Sequence, residues 1–174
     1  MRVAEMRDLH VSWDEYNRLI EKLAVRVHDA NWNFDAIVCL ARGGLRVGDA
    51  LSRLFRKPLG VLFTSSYREN AGTTQSRLMI AEHMSSAEPL PGPRWLLADD
   101  LVDSGATLVE VIPALKLRYP HVEEIRSAVI WRKGQSVAEP DFYVDHLPTN
   151  PWIHQPFEEY DHLRPSDLKA RWPS

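Results

Sequence analysis

The chain has little cysteine and no long hydrophobic run. Its one cysteine, Cys39, excludes a framework of internal disulfides, and its place in the apolar run 37–40 predicts a core residue rather than a nucleophile. The longest apolar runs are far shorter than the ~20 residues of a membrane-spanning helix. The acidic, polar first fifteen residues do not resemble a signal peptide. We therefore expect a cytoplasmic protein with no membrane span.

Basic charge is also scarce. The 174 residues include 21 Lys and Arg against 24 Asp and Glu, which gives a formal net charge of -3 at pH 7. Because this balance offers no broad basic surface, nucleic acid is not an expected partner, and a small anionic ligand has to be bound by local groups. The sequence contains neither G-x-x-x-x-G-K-[ST] nor a strand followed by G-x-G-x-x-G, which excludes the Walker and dinucleotide fingerprints.

The order of apolar patterns predicts an α/β fold in one domain, residues 1–174. Ser12 and Glu15 form a capping box ahead of a helix with its apolar face at Tyr16, Leu19, Ile20, Leu23, Ala24 and Val27. A buried strand at 36–40 and a turn at 43–44 precede a second helix, with its apolar face at Val47, Ala50, Leu51, Leu54 and Phe55. Further strands are predicted at 60–64, 78–82, 95–98, 125–131 and 142–144, and a third helix begins near Ala106. This alternation predicts a mostly parallel twisted sheet with helices on both faces.

Some segments do not fit these patterns. Pro113 falls inside the third helix, where it costs about 3 kcal/mol relative to alanine, so we expect a kink or a later helix start. Residues 67–76 are polar and are predicted to form a mobile loop between two strands. Residues 85–93 are predicted as a surface connection and residues 164–174 as a polar tail.

The most informative segment, residues 96–107 (LLADDLVDSGAT), joins an apolar strand to the third helix. It therefore lies at the carboxyl end of a strand, where open α/β sheets bind ligands. The small residues Ser104, Gly105 and Ala106 let backbone N–H groups converge beside a helix N-terminus, an arrangement that holds a phosphate dianion. The hydroxyl groups of Ser104 and Thr107 are further donors.

The acidic residues of this segment need a different ligand. Asp99 and Asp100 repel phosphate, but they suit vicinal hydroxyl groups or a hydrated Mg²⁺. The segment therefore predicts a sugar-phosphate site. A simpler interpretation places Asp99 and Asp100 in a solvated turn, with Asp103 or Ser104 capping the helix, but it does not explain three acidic residues.

A second candidate anion site follows the first buried strand. Arg42 can offer a bidentate fork to pyrophosphate, and Gly43 and Gly44 permit a backbone geometry that brings N–H groups onto a ligand. Both segments are expected at the same edge of the sheet. The alternative is a plain glycine turn with a solvated arginine.

Residues 96–107 resemble the phosphoribosyl pyrophosphate motif of type I phosphoribosyltransferases: an apolar strand, two acidic residues, two apolar residues, then D-[ST]-G-x-T. Residues 41–45 resemble the pyrophosphate loop of the hypoxanthine-guanine and xanthine-guanine branch, and residues 37–54 are particularly similar to the bacterial xanthine-guanine enzyme. The resemblance covers residues 12 to about 160. It implies a core at about 12–131 and a base-binding hood at about 132–163.

Two features of the carboxyl-terminal part bear on the substrate. Lys133 can donate to the exocyclic carbonyl oxygen of a 6-oxopurine, whereas the amine of adenine repels it, and Trp152 can stack on a purine while backbone groups near Ile153 bind the ring edge. Taken singly, a lysine such as Lys133 is more often a surface residue, and a tryptophan such as Trp152 is more often a core or interface residue. The resembled family combines such a lysine with a W-I-x-Q-P segment. His154 and Glu158 depart from its pattern, which leaves the choice among guanine, xanthine and hypoxanthine open.

The resemblance implies transfer of a phosphoribosyl group from phosphoribosyl pyrophosphate to a purine base, with release of pyrophosphate and with Mg²⁺ as cofactor. It assigns the 5′-phosphate to Ser104, Gly105, Ala106 and Thr107, and the pyrophosphate to Arg42, Gly43 and Arg77. Asp99 and Asp100 are implied to hold the ribose hydroxyl groups and hydrated Mg²⁺, with Asp100 as the metal residue. Asp103 and Arg77 are the catalytic candidates, and Asp103, Lys133, Trp152 and Ile153 the base-binding ones. Relatives of this kind also imply a homodimer or homotetramer.

Two other functions remain open at this stage. A regulatory protein that senses phosphoribosyl pyrophosphate would keep the fold and the phosphate loop without the chemistry. A transferase of the same fold could act on another nucleobase, such as a pyrimidine. The set of Asp103, Arg77 and Lys133 favours catalysis over sensing.

Overall fold

The computed structural model describes residues 8–67 and 77–172, and for Ser66, Tyr67 and Arg77 the backbone alone. All but the first residue of the predicted mobile loop at 67–76 lies outside this range. The chain divides into two compact units. The larger unit is residues 19–150, and the smaller joins the residues up to 18 with those from 151 onward. The single domain with a core and a hood stays a prediction.

The secondary structure alternates strands and helices. The strands are β1 (Leu9–His10), β2 (Ala36–Ala41), β3 (Leu59–Tyr67), β4 (Arg77–Ile80), β5 (Arg94–Ala98), β6 (Leu101–Val102), β7 (Glu124–Lys133), β8 (Phe142–Leu147) and β9 (Ile153–His154). The helices are α1 (Trp13–Asp29), α2 (Leu45–Phe55), α3 (Ala106–Arg118), a 3₁₀ helix (Glu158–Asp161) and α4 (Pro165–Leu168). Every predicted strand is present, with ends shifted by a few residues, and the short β1, β6 and β9 were not predicted.

One sheet organises the larger unit. Its strand order is β4-β3-β2-β5-β7-β6, and β8 pairs with β7. Every pair is parallel except β3 with β4. All six residues of β2 (AIVCLA) are buried, as expected for the centre of a parallel sheet covered on both faces. The predicted α/β fold with a mostly parallel sheet is confirmed.

The first two helices form where the apolar spacing predicts them. The Ser12 hydroxyl oxygen accepts a hydrogen bond from the Glu15 amide at 3.2 Å, and all six predicted apolar residues of α1 are buried. In α2 the prediction is wrong for Leu54, which is 58% exposed. Phe55 at the end of this helix instead packs its ring against Phe34, with centroids 5.1 Å apart.

Helix α3 begins at Ala106, so the predicted alternative of a later start is wrong. Pro113 lies within the helix and is exposed. It cannot donate to the carbonyl group of Val109, one turn earlier, but Val109 is also exposed. Water can therefore bond that carbonyl group, which makes the proline tolerable on this face.

The exposed tail and the connections also match their patterns in part. Residues 164–172 are mostly exposed, as predicted, but they include the short helix α4, in which the Asp167 carboxylate accepts a bond from the Arg164 amide at 2.8 Å. The connection at 85–93 is anchored by a bridge between Ser85 and Val61. No helix in the described part of the chain combines the length and apolarity needed to cross a membrane.

Cys39 lies in the middle of β2 and is fully buried, which confirms its prediction as a core residue. Burial raises the pKa of its thiol to about 11, and the negative charge of Asp99 adds to the shift. A thiolate is the reactive form of cysteine, so a thiol with this pKa is inert at neutral pH.

We therefore expect the folded protein to resist alkylation. At pH 8 about one Cys39 thiol in a thousand is ionised. The Cys39 side chain also has no surface exposed to solvent. Iodoacetamide is expected to leave Cys39 unmodified in buffer and to modify it fully in denaturant, as measured by mass spectrometry. Rapid modification of the native protein would contradict this placement.

Candidate active site

Two loops at one edge of the sheet form the site. Cys39 and Ala98 are partners in the parallel register of β2 and β5, so the residues that follow both strands lie side by side. A pocket of about 250 Å³ is lined by Leu40, Ala41, Arg42, Gly43, Thr64, Ser65, Leu78, Asp99, Asp100 and Thr107. A smaller pocket of about 130 Å³ is lined by residues 99–105, 107 and 108. The two pockets share Asp99, Asp100 and Thr107, so both predicted anion loops border one region.

The loop after β2 contacts the acidic pair directly. A Cβ atom at Gly43 would lie 2.7 Å from Oδ1 of Asp100, so any larger residue there would displace the Asp100 carboxylate. The peptide bond between Ala41 and Arg42 is cis. The Gly44 amide donates to the Leu40 carbonyl oxygen at 2.8 Å. The Gly44 N–H group is thus bonded within the loop, while Arg42 and Gly43 line the pocket.

The predicted phosphate loop stands at the start of α3. Gly105 is the N-cap residue, with φ of 87°, a left-handed conformation that favours glycine. The Ser104 hydroxyl oxygen accepts a bond from the Ala106 amide at 3.3 Å, and the helix that follows has 13 residues. Its first amide groups and its dipole favour an anion at this end. The simpler interpretation therefore holds in part: Ser104 bonds the first amide of α3, whereas the N-cap position itself is Gly105.

The adjacent carboxylates carry an electrostatic cost. Burial of the Asp99 carboxyl group and the negative charge of Asp100 together raise the pKa of Asp99 well above its usual range. One oxygen of Asp99 accepts the Asp100 amide at 3.0 Å. A cation or ligand hydroxyl groups at this position would relieve the repulsion between the two carboxylates.

This pair suits a magnesium ion that brings other ligands with it. Carboxylate oxygens are hard donors of the kind Mg²⁺ takes, and proteins bind this ion through one or two carboxylates with water and substrate phosphates completing the octahedron. Within residues 8–67 and 77–172, no group of three or more His, Cys, Asp and Glu side chains could enclose a metal ion. The two carboxylates therefore fit an ion whose remaining ligands are water and substrate oxygen atoms.

Asp103 and Lys133 meet beside the phosphate loop. Lys133 is the last residue of β7 and only 6% exposed, so the alternative of a surface lysine is wrong. Its ammonium nitrogen lies 3.5 Å from Oδ1 of Asp103, whose side chain is 53% exposed. A buried cation thus faces a carboxylate that remains open to solvent on its other side.

Sequence reasoning missed the segment after Lys133. The side-chain amide nitrogen of Gln135 donates to Oδ1 of Asp103. A Cβ atom at Gly105 would lie 2.6 Å from the backbone nitrogen of Ala138. The Val137 amide donates to the Ser104 carbonyl oxygen at 2.9 Å. The glycine that follows Lys133 indicates a turn there, but no local pattern shows that this turn returns to the phosphate loop.

The remaining base-binding candidates belong to the smaller unit. Trp152 is 62% exposed, which excludes a core position, and Ile153 is buried in β9 opposite Leu9. The carbonyl groups of Trp152 and His154 accept bonds from Leu9 and Val11 at 2.8 and 3.0 Å. The backbone N–H and C=O groups of Ile153 therefore point away from β1, toward the other side of β9. Their place in one base pocket with Lys133 stays a prediction.

Three further residues of the sequence analysis are Arg77, His154 and Glu158. Arg77 begins β4, but its side chain lies outside the described residues, so its contact with pyrophosphate stays a prediction. His154, one of the two departures from the family pattern, stacks on His10 with centroids 4.3 Å apart. Its Nε2 atom lies 2.9 Å from a carboxylate oxygen of Asp8. Glu158 begins the 3₁₀ helix.

Comparison with known proteins agrees with this geometry. The phosphoribosyl transferase domain model matches residues 12–162. A xanthine-guanine phosphoribosyltransferase of Ruegeria sp. is 28% identical over 166 residues, which are 90% of this chain and 89% of the relative. The xanthine-guanine-hypoxanthine phosphoribosyltransferase of Helicobacter pylori superposes with a TM-score of 0.74 at 25% identity, covering 94% and 99% of the two chains. The purine phosphoribosyltransferase of Pyrococcus horikoshii gives 0.70 at 29% identity, covering 87% and 95%.

The mostly parallel sheet places the Gly105 loop and the acidic pair at the carboxyl ends of its strands, the edge at which open α/β proteins bind their ligands. The family model spans most of the chain, and the chain belongs to the phosphoribosyl transferase family.

Proposed function

We propose that this protein transfers the 5-phosphoribosyl group of phosphoribosyl pyrophosphate to a ring nitrogen of a 6-oxopurine, with release of pyrophosphate, a purine salvage reaction. The observation that carries the proposal is the buried Lys133 ammonium group, 3.5 Å from Asp103 and next to the loop of Ser104 and Gly105. An ammonium group has donors and no acceptor. It can therefore bond the carbonyl oxygen of guanine, xanthine or hypoxanthine, and it disfavours the amine of adenine.

The relatives support a purine as the acceptor. The Ruegeria, Helicobacter and Pyrococcus proteins are purine, xanthine-guanine or xanthine-guanine-hypoxanthine phosphoribosyltransferases by name. We propose the same class of base for this chain, together with the homodimer or homotetramer that the resemblance implies and the cytoplasmic location expected from the sequence. Sedimentation of the purified protein distinguishes these assemblies from a monomer.

The chemistry requires positioning and charge stabilisation, because the transition state is oxocarbenium-like and no covalent nucleophile is needed. The amide groups from Gly105 to Thr107 hold the 5′-phosphate, and the Ser104 hydroxyl is a further donor. Asp99 and Asp100 bind the ribose hydroxyl groups and the coordination shell of Mg²⁺. When bound, this ion neutralises charge on the pyrophosphate. Arg42 and Gly43, with Arg77, bind the leaving pyrophosphate.

Asp103 has a separate role at the base. Its second carboxylate oxygen accepts a hydrogen bond from the N–H group of the purine imidazole ring, which orients the base. The same oxygen takes up that proton as the new glycosidic bond forms at the other ring nitrogen. The Lys133 ammonium group lies 3.5 Å from the other oxygen, Oδ1.

An assay of pyrophosphate release distinguishes the proposed transferase from the alternative, a non-catalytic sensor of phosphoribosyl pyrophosphate. The protein is incubated with phosphoribosyl pyrophosphate, Mg²⁺ and guanine, xanthine or hypoxanthine, and pyrophosphate release is measured beside reactions lacking the base or containing EDTA. We expect release that requires both the base and the metal. Binding of phosphoribosyl pyrophosphate without release for any of the three bases would contradict the proposal and favour a sensor.

A further inference from the structure

The Gln135 side chain connects the turn after β7 to the proposed general base. Its amide nitrogen donates to Oδ1 of Asp103, the same oxygen that the Lys133 ammonium group approaches at 3.5 Å. Both donors therefore meet one oxygen of the carboxylate. No group within residues 8–67 and 77–172 bonds the other oxygen, which leaves it open to a ligand there, and the Asp103 side chain is about half exposed.

Two donors on one oxygen restrict the rotation of the carboxylate. A flexible ammonium group attracts the carboxylate as a point charge and sets no plane, whereas a planar amide donates along a defined direction. Gln135 therefore determines which way the second oxygen of Asp103 points. A general base must lie within hydrogen-bond reach of the proton that it accepts, so this orientation bears directly on turnover.

The backbone of Gln135 is itself fixed by a second turn. Its amide donates to the side-chain oxygen of Asn150 at 3.0 Å, and the neighbouring Gly134 amide donates to the Leu147 carbonyl oxygen at 2.9 Å. Asn150 has φ of 51°, a left-handed conformation that asparagine adopts more readily than most residues. A continuous path of hydrogen bonds thus leads from Asn150 through Gln135 to Asp103.

We propose that Gln135 is a positioning residue for the reaction, held by Asn150, and that it aims the free oxygen of Asp103 at the imidazole N–H group of the incoming purine. The inference rests on the proposed function. It adds two residues to the site that the phosphate motif and the base-pocket motif do not contain.

Replacing Gln135 with leucine removes the donor and keeps the approximate size of the side chain. Because hydrogen bonds to charged groups are strong, kcat/KM for the base is expected to fall by about 10- to 100-fold, with KM for phosphoribosyl pyrophosphate unchanged. Gln135→Glu places a second carboxylate against Asp103 and is expected to be slower still. Asn150→Ala acts through Gln135 and is expected to give a smaller loss. Gln135→Ala, which adds no apolar group, is measured beside Gln135→Leu.

A double substitution separates positioning from a general structural effect. In an Asp103→Asn background the residue that Gln135 aims no longer accepts a proton, so adding Gln135→Leu is expected to change kcat/KM less than about twofold. Asn33→Leu removes an exposed amide in the turn before β2 and serves as the matched control, with wild-type kinetics expected. Thermal melting is followed for every variant.

The outcomes are distinct. Wild-type kinetics in Gln135→Leu, or an equal loss in the Asp103→Asn background, would overturn this inference and leave the proposed function intact. A wild-type protein that transfers the phosphoribosyl group to no base would overturn the proposed function and this inference with it. A loss confined to the base, and absent in the Asp103→Asn background, supports both.

Discussion

Replacing Asp103 with asparagine is expected to lower kcat by about 10²-fold or more. Asparagine has nearly the same shape and keeps an oxygen that can accept the Gln135 amide, so the loop should retain its structure. It cannot accept the proton that the purine releases, and it removes the charge facing Lys133. Steady-state kinetics with saturating phosphoribosyl pyrophosphate and varied base measures this change, and KM for phosphoribosyl pyrophosphate should remain close to the wild-type value.

The matched control is Glu110→Gln, which neutralises an exposed carboxylate on the same helix that follows the loop. We expect it to retain wild-type turnover. If Asp103→Asn turns over at a rate close to that of Glu110→Gln, Asp103 does not act as a general base, and its contact with Lys133 is structural.

Replacing Gly105 with valine is expected to abolish binding of the 5′-phosphate. The residue has φ of 87°, which is strained for a β-branched side chain by about 1–3 kcal/mol. Its Cβ atom would also lie 2.6 Å from the backbone nitrogen of Ala138. The loop must therefore move, and each charge-assisted bond lost to the phosphate weakens binding by about 10- to 100-fold. Calorimetric titration of phosphoribosyl pyrophosphate with Mg²⁺ measures the loss.

Gly92→Ala separates this local effect from a general loss of stability. Gly92 also has a positive φ, 70°, and its Cβ atom would lie 2.2 Å from the Asp35 carboxyl carbon, in a turn whose residues line neither site pocket. Both variants should melt at lower temperature, by about 2–4 °C per kcal/mol lost. Only Gly105→Val should lose the ligand, and equal ligand affinity in the two variants would contradict the phosphate site.

The central fold could be predicted because its signals are local. The run AIVCLA of β2 is apolar at every position, as a strand buried on both faces must be, and Ser12 with Glu15 marks the start of α1. The two-residue strands β1, β6 and β9 are too short to show any periodicity. Leu54 follows the helical spacing, yet it lies in the last turn of α2, where its side chain stays exposed.

In the candidate site, too, the features with a local sequence signal could be predicted and the contacts between distant residues could not. The acidic pair and the phosphate loop lie within nine residues of sequence, Asp99 to Thr107, so their chemistry can be read directly. The contact of Gln135 with Asp103 joins residues 32 positions apart, and no spacing rule relates them. The burial of a residue is equally non-local. Lysine is typical of the protein surface, but Lys133 ends β7, a strand with neighbouring strands on both sides, and is buried.

A panel of acceptor bases tests the proposed reaction most directly. The protein is incubated with phosphoribosyl pyrophosphate, Mg²⁺ and, in turn, guanine, xanthine, hypoxanthine, adenine or uracil, and the nucleoside monophosphate is quantified by mass spectrometry. We expect one of the three 6-oxopurines to react fastest, because the Lys133 ammonium group can bond their carbonyl oxygen. Fastest turnover of adenine or uracil would contradict the assignment of Lys133, and absence of any product would contradict the transferase itself.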